Sequence, residues 1–224
     1  MDWEAARVSL GLALATTVLL LVPALWLARW LAITRWRGRA AVEALITLPL
    51  LLPPTVVGFY FLVAFGAASP LGQWIERLFG ARLVFTFEGL LAASLLINLP
   101  FMVQPAQRAF AAVPNSLREA AWVSGLSALR TFLRIELPLA WPGALAGCAL
   151  TFAHTLGEFG VVMMVGGSIP GQTRTLSIAI YDRVQAFDDA GAGRISLLLL
   201  AFSLAALAAV FVTGRRERRA LQER

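Results

Sequence analysis

The sequence contains no lysine: all 19 basic residues among its 224 are arginine. That excludes a Walker A loop, whose Lys reaches the phosphates, and any Schiff base, which needs a Lys amine. If the chain takes part in ATP-driven work, another subunit hydrolyses the nucleotide. A single histidine, His154, excludes HExxH and most Cys/His zinc sites. A single cysteine, Cys148, excludes an intrachain disulfide. Charge is scarce as well, at 14% of residues, where soluble domains carry about a quarter. The N-terminus lacks the basic region of a signal peptide: Asp2 and Glu4 stand in its place, before an apolar run too long for one. No low-complexity linker marks off a second domain.

What remains is apolar. Hydrophobic residues make up 59% of the chain and the mean hydropathy is +0.76, against about 45–50% apolar residues in ordinary soluble domains. One core cannot hide that excess while the surface keeps polar cover, so lipid is the solvent for much of this surface. A spanning helix needs about 20 predominantly apolar residues, and five segments qualify: 8–31, 41–66, 89–113, 142–165 and 195–212. The expected fold is an all-α integral membrane protein of about five transmembrane helices, one domain over residues 1–224, with membrane lipid and no nucleic acid as surroundings.

Arginine sorts the connections. Residues 29–39 hold Arg29, Arg35, Arg37 and Arg39; residues 108–137 hold Arg108, Arg118, Arg130 and Arg134; five more follow Thr213. The alternate side has Arg7, Arg77, Arg82, Arg174, Arg183 and Arg194. Thirteen against six places the first set in the cytoplasm, with the N-terminus outside and the C-terminus inside. Two outer connections carry helical apolar stripes: Leu71, Trp74, Ile75, Leu78 and Phe79, then Leu176, Ile180, Val184 and Phe187. Each fits an interfacial helix or a packed one. Pro23, Pro49, Pro53, Pro54, Pro100 and Pro105 punctuate the spans, and each removes a backbone bond that lipid cannot replace, which favours kinked helices around a cavity.

The stretch from Pro114 to Pro142 is too polar to span and too patterned for disorder. Ser116 to Glu119 reads as a capping box that starts a short helix. Gly125 is placed to end it, and Ser127 to cap a second helix carrying Leu129, Phe132, Leu133 and Ile135. Within this stretch Glu119-Ala120-Ala121, Gly125, Ile135 and Leu137-Pro138 resemble, in identity and spacing, the EAA loop of prokaryotic ABC-importer permeases of type I. The resemblance implies a cytoplasmic coupling helix seated on a separate ATPase subunit, with Glu119, Ala120, Ala121 and Gly125 in the contact and Ile135, Leu137 and Pro138 completing the motif. It also implies two ATPase copies holding ATP-Mg, a second copy of this permease, and no cofactor or chemistry in this chain.

Two further stretches resemble the molybdate permease branch: Leu48–Phe59, with Pro53-Pro54-Thr55, and Gly157-Glu158-Phe159-Gly160 followed by Gly166–Thr175. Tungstate and sulfate permeases are related alternatives. The implied function is a permease for an oxyanion, molybdate first, in the cell (inner) membrane, fed by a periplasmic or surface binding protein. Candidates for the path or gate are Thr55, Asn98, Gln104, His154 and Glu158, and candidates for the binding-protein contact are Gly171 and Arg174.

On the residues alone, His154 and Glu158 share a helix face at i, i+4. An intramembrane carboxylate points to function, yet an ionised Glu158 repels a dianion, so a structural pairing with His154 or an outer-loop Arg is favoured. Asn98, Gln104 and Gln107 bond between helices or face water. Glu43 and Glu88 flank span starts, where helix N-termini favour anions. Gly143 and Gly147 form a small-xxx-small pair for tight packing. An intramembrane protease is disfavoured because Ile169 follows Gly166-Gly167-Ser168 and Arg194 follows Gly191-Ala192-Gly193; a passive scaffold would not need the coupling pattern.

Overall fold

The computed structural model describes residues 2–80 and 82–222, with side chains described up to residue 208. The C-terminal arginines and residues 209–212 of the fifth expected span therefore fall outside the described side chains. All regular structure among the described residues is helical: α1 (Trp3–Ile33), α2 (Arg39–Leu51), α3 (Pro54–Phe65), α4 (Pro70–Phe79), α5 (Phe87–Ala111), α6 (Asn115–Val123), α7 (Ala128–Thr131), a π turn (Phe132–Glu136), α8 (Leu137–Gly157), α9 (Gly160–Gly166), α10 (Leu176–Gln185) and α11 (Asp189–Gln222).

Among the described residues, four helices are long and apolar enough to cross a membrane: Trp3–Ile33, Phe87–Ala111, Ala128–Gly157 and Asp189–Ala208. The second expected span is not one helix. It breaks between α2 and α3 with a bend of 109°, where Leu52 and Pro53 are extended. Pro53 and Pro54 carry no N–H and cannot continue the hydrogen-bond ladder of α2. The fourth expected span, 142–165, is also corrected. Its helix starts at Ala128, fourteen residues early, and stops at Gly157; Glu158 is extended and α9 is a separate seven-residue helix. Hydropathy cannot register such a break, because the residues on both sides are equally apolar.

Packing follows residue size. Ala24 and Ala28 of α1, Ala106 of α5 and Ala140 and Ala144 of α8 are buried with Leu20, Leu31, Met102 and Phe110 in the largest core. Gly143 and Gly147 let the α8 backbone touch α5: a Cβ on Gly143 would stand 2.4 Å from Ala109 Cβ, and one on Gly147 would stand 2.8 Å from the Met102 carbonyl oxygen. This is the close approach expected of a small-xxx-small pair. A second core joins Val57 and Phe61 of α3 to Leu90, Ala93 and Ile97 of α5 and Val161, Val162 and Val165 of α9. On α1, Leu14, Val18, Val22 and Trp26 form an exposed row at i+4 spacing, the apolar outer face of a helix solvated by lipid.

Among the described residues, members of the two arginine sets lie at opposite ends of the bundle. Arg29 of α1 and Arg118 both pair with Glu136 at one end. At the other, Arg174 meets Asp2 and Asp182, and Phe85 N donates to the Val165 carbonyl. The two striped outer helices differ. α4 buries only Gly72 and leaves Leu71, Trp74, Leu78 and Phe79 exposed. α10 buries Leu176, Ser177, Ile178 and Ala179, and Leu176 N donates to Ser9 Oγ at 2.8 Å. α4 thus presents an open apolar face, while α10 is packed through its first turn and leaves Val184 and Phe187 of its stripe exposed.

Candidate functional site

The polar stretch forms a helix, a tight turn and a second helix. Its start differs from the expected capping box: Pro114 is the N-cap, Ser116 lies inside α6, and no side chain caps the end. Pro114 presets the backbone and gives up no hydrogen bond there. Gly125 ends the helix as expected, with φ +78°. Leu126 N donates to Ala121 O and Gly125 N to Trp122 O, both at 3.0 Å, the two bonds of a Schellman motif. Ser127 caps α7, its Oγ accepting from Arg130 N at 3.4 Å.

This turn holds α6 away from the bundle. Leu117, Glu119, Ala120, Trp122 and Val123 are exposed, Val123 at 90%. Ala121 is buried and faces its own chain, so the outward surface is made by Glu119 and Ala120 with three apolar neighbours that the motif does not contain. Ile135 and Leu137 are half-buried, with Leu137 packed on the main core, and Pro138 is exposed. Pro138 has no N–H for the Arg134 carbonyl and its ring crowds that oxygen. The preceding turn widens to the π form, with Leu137 N donating to Phe132 O, a distortion that is frequent at functional sites.

The π turn rolls Glu136 fully inside. Its Oε2 accepts from Arg29 Nε, and its Oε1 accepts from Arg118 Nε at 2.7 Å. Arg118 also donates to the carbonyls of Phe110 (2.8 Å) and Val113 (3.0 Å) and to Asn115 Oδ1 (2.9 Å), satisfying carbonyls at the end of α5. Sequence reasoning missed this cluster. Its members are separated by 18 and 107 positions, and no local pattern pairs them.

The membrane-embedded candidates fall into two groups. Asn98, His154 and Glu158 form one cluster near the midpoint of α5. Asn98 Nδ2 donates to Ser94 O at 2.9 Å, which turns its Oδ1 to His154 Nδ1 at 3.0 Å. His154 stacks on Phe101, with ring centroids 4.1 Å apart. Its Nε2 faces Glu158 Oε2 at 3.6 Å. Glu158 Oε1 accepts from Val161 N at 2.9 Å and its carbonyl accepts from Ser177 Oγ at 2.6 Å. The carboxylate therefore caps α9.

Nearer the arginine-rich end, Gln104 donates to Thr47 Oγ1 at 3.4 Å and Gln107 to Glu43 Oε1 at 2.5 Å, both across to α2. Glu43 lies beyond the first turn of α2 and pairs with Arg39 at 2.9 Å, so interhelical bonding replaces the helix-end role expected for it. Glu88 does sit in the first turn of α5. Thr55 is exposed in the first turn of α3, beside the start of α9, where a Cβ on Gly160 would stand 2.7 Å from Pro54 Cβ. Two helix breaks thus meet at one level of the bundle.

At the expected outer contact, the Arg174 guanidinium is engaged by Asp182 at 3.0 Å and Asp2 at 3.4 Å, which clamps the outer loop to the start of α1. Gly171 is exposed, with φ +73°.

Residues 24–220 match the family model of the binding-protein-dependent transport system inner membrane component. The chain is 45% identical over 214 residues to the molybdenum transport system permease protein ModB of Azotobacter vinelandii, covering 96% of this chain and 95% of that one. It is 34% identical over 177 residues to a probable sulfate transport system permease protein of Chlorella vulgaris, covering 77% and 66%. Among solved structures, a bacterial ABC transporter involved in alginate import superposes with TM-score 0.77 at 17% identity, covering 95% of this chain and 78% of that chain.

Proposed function

We infer that this chain, which belongs to the binding-protein-dependent transport system inner membrane component family, is the permease subunit of an ABC importer for molybdate. The match to a molybdenum permease along nearly the whole chain carries this reading. The sulfate permease relative is less similar and covers less of the chain, which ranks sulfate behind.

In this reading α6 seats on a separate ATPase subunit through Glu119, Ala120, Leu117 and Val123. Two copies of the chain enclose the path, and the partner subunits hold ATP-Mg. Apolar groups exposed on so short a helix, with a glycine turn fixing its angle, suit docking into a groove. The path is lined by amides and hydroxyls, with Thr55 and Gln104 as candidates and His154 with Glu158 at its side, whereas Asn98 is fully buried within the chain and orients His154 instead of facing the path. No arginine stands near the middle of a span, so a dianion meets no site that would hold it tightly. Selectivity then resides in a binding protein outside, which meets the outer loop around Gly171 and the open face of α4.

The test of cargo is uptake of labelled molybdate at low external concentration in a strain lacking this chain. Uptake should fall to background and return with the gene. Intact molybdate uptake with sulfate uptake lost would assign the sulfate branch.

Orientation follows from the arginine count. A reporter inserted at Gly38 or fused after Arg224 should report cytoplasm, and one at Gly80 the outside. A cytoplasmic signal at Gly80 would overturn the arrangement.

A further inference from the structure

We propose that Arg29, Glu136 and Arg118 form the joint through which movement of α6 reaches the membrane helices. The proposal rests on the reading of α6 as the contact with the ATPase subunit. Of the nine residues of α6, only Arg118 and Ala121 are buried. Beyond the covalent chain, Arg118 is the main grip that the bundle has on this helix. That grip reaches three elements at once: Glu136 in the π turn leading into α8, the end of α5 and the turn after it through the Phe110 and Val113 carbonyls, and α1 through the shared carboxylate and Arg29. Arg29 also lies over the Phe132 ring, 5.4 Å from its centroid.

Stability alone is a poor reason for this arrangement, since well-packed apolar residues hold helices together as well as a buried ion cluster or better. The cluster adds direction. A carboxylate bonded through each oxygen to a different guanidinium fixes α1 and α6 relative to α8, whereas apolar side chains slide. The π turn places Glu136 on that line, and Pro138 keeps the turn from relaxing to a regular helix. Displacement of α6 is thereby delivered to α1, α5 and α8 together. These are positioning residues: they touch neither cargo nor nucleotide.

The test uses this chain reconstituted in proteoliposomes with its ATPase subunit and binding protein. The quantity read is labelled molybdate transported per ATP hydrolysed, or labelled sulfate if the wild-type chain carries that instead. Glu136→Gln and Arg29→Met should keep the ATPase subunit bound and hydrolysing, while uptake per ATP falls at least about fivefold, the low end of coupling between sites. The double variant should fall no further than Glu136→Gln, as for groups acting as a unit. If Glu136→Gln fails to accumulate, Arg29→Met decides, since it leaves Glu136 paired with Arg118. Hydrolysis and uptake that fall in proportion, or that stay unchanged, would overturn the joint while leaving the docking role of α6 intact. A wild-type chain that binds no ATPase subunit would remove that docking role, and the joint with it.

Discussion

Gly125→Val will cut uptake about tenfold or more while the chain remains in the membrane at near-normal abundance. Gly125 has φ +78° and no atom stands within 4 Å of where a Cβ would go, so steric contact is not the difficulty. The backbone is. A left-handed conformation costs an L-residue about 1–2 kcal/mol, more when it is β-branched, and every 1.4 kcal/mol is about tenfold in an equilibrium. The Schellman bonds from Leu126 and Gly125 will open, and α6 will leave the angle at which it meets its partner. The cores of α1, α5 and α8 lie elsewhere, so insertion should survive. Uptake should fall on the order of tenfold or more, and the ATPase subunit should co-purify poorly. Gly125→Asn, which tolerates this conformation better, should retain much of the activity. Normal uptake by the valine variant would remove the turn from the mechanism.

Gly147→Leu should have the opposite profile, with the chain itself disappearing. The added Cβ would meet Met102 O at 2.8 Å and Met102 Cα at 3.2 Å, and a backbone carbonyl inside a packed helix cannot swing away. Overpacking a tight core costs about 1–3 kcal/mol and occasionally more, and losses of about 1–2 kcal/mol already change cellular abundance several-fold. Membrane immunoblots should show at least a several-fold loss, with a lower melting point in detergent, and Gly147→Ala should be milder. Full abundance of the leucine variant would mean that α5 and α8 do not approach as closely as described.

These two glycines mark what the sequence made legible. A glycine one position past a helix end, or two glycines four apart in an apolar helix, announces a local requirement, and both requirements are present. Ser127 was readable for the same reason. Ser116 misled because the capping pattern is satisfied in identity while Pro114, two residues earlier, takes the cap. The apolar run 41–66 concealed a bend, since proline pairs break a helix without lowering hydropathy. Glu158 ended α8 unseen for a similar reason: the residues beyond it pack on α3 as apolar side chains, whichever helix they belong to. Arg174 looked free because Asp2 is 172 positions away. Glu136 was silent because its partners lie on other helices, and only the assembled bundle shows that a single carboxylate serves two arginines.

The bend between α2 and α3 bears on how a newly made copy fares. At about 1.5 Å per residue, α2 and α3 run roughly 20 and 18 Å, each short of the roughly 30 Å hydrocarbon layer. Pro53 and Pro54 offer no N–H to the carbonyls of Pro49 and Leu50, which are left without helical donors. In open lipid each such group costs several kcal/mol. In the proposed two-copy importer, a second copy or a shared wet channel beside the bend would satisfy these carbonyls, and a copy without a companion is therefore expected to be the less stable form.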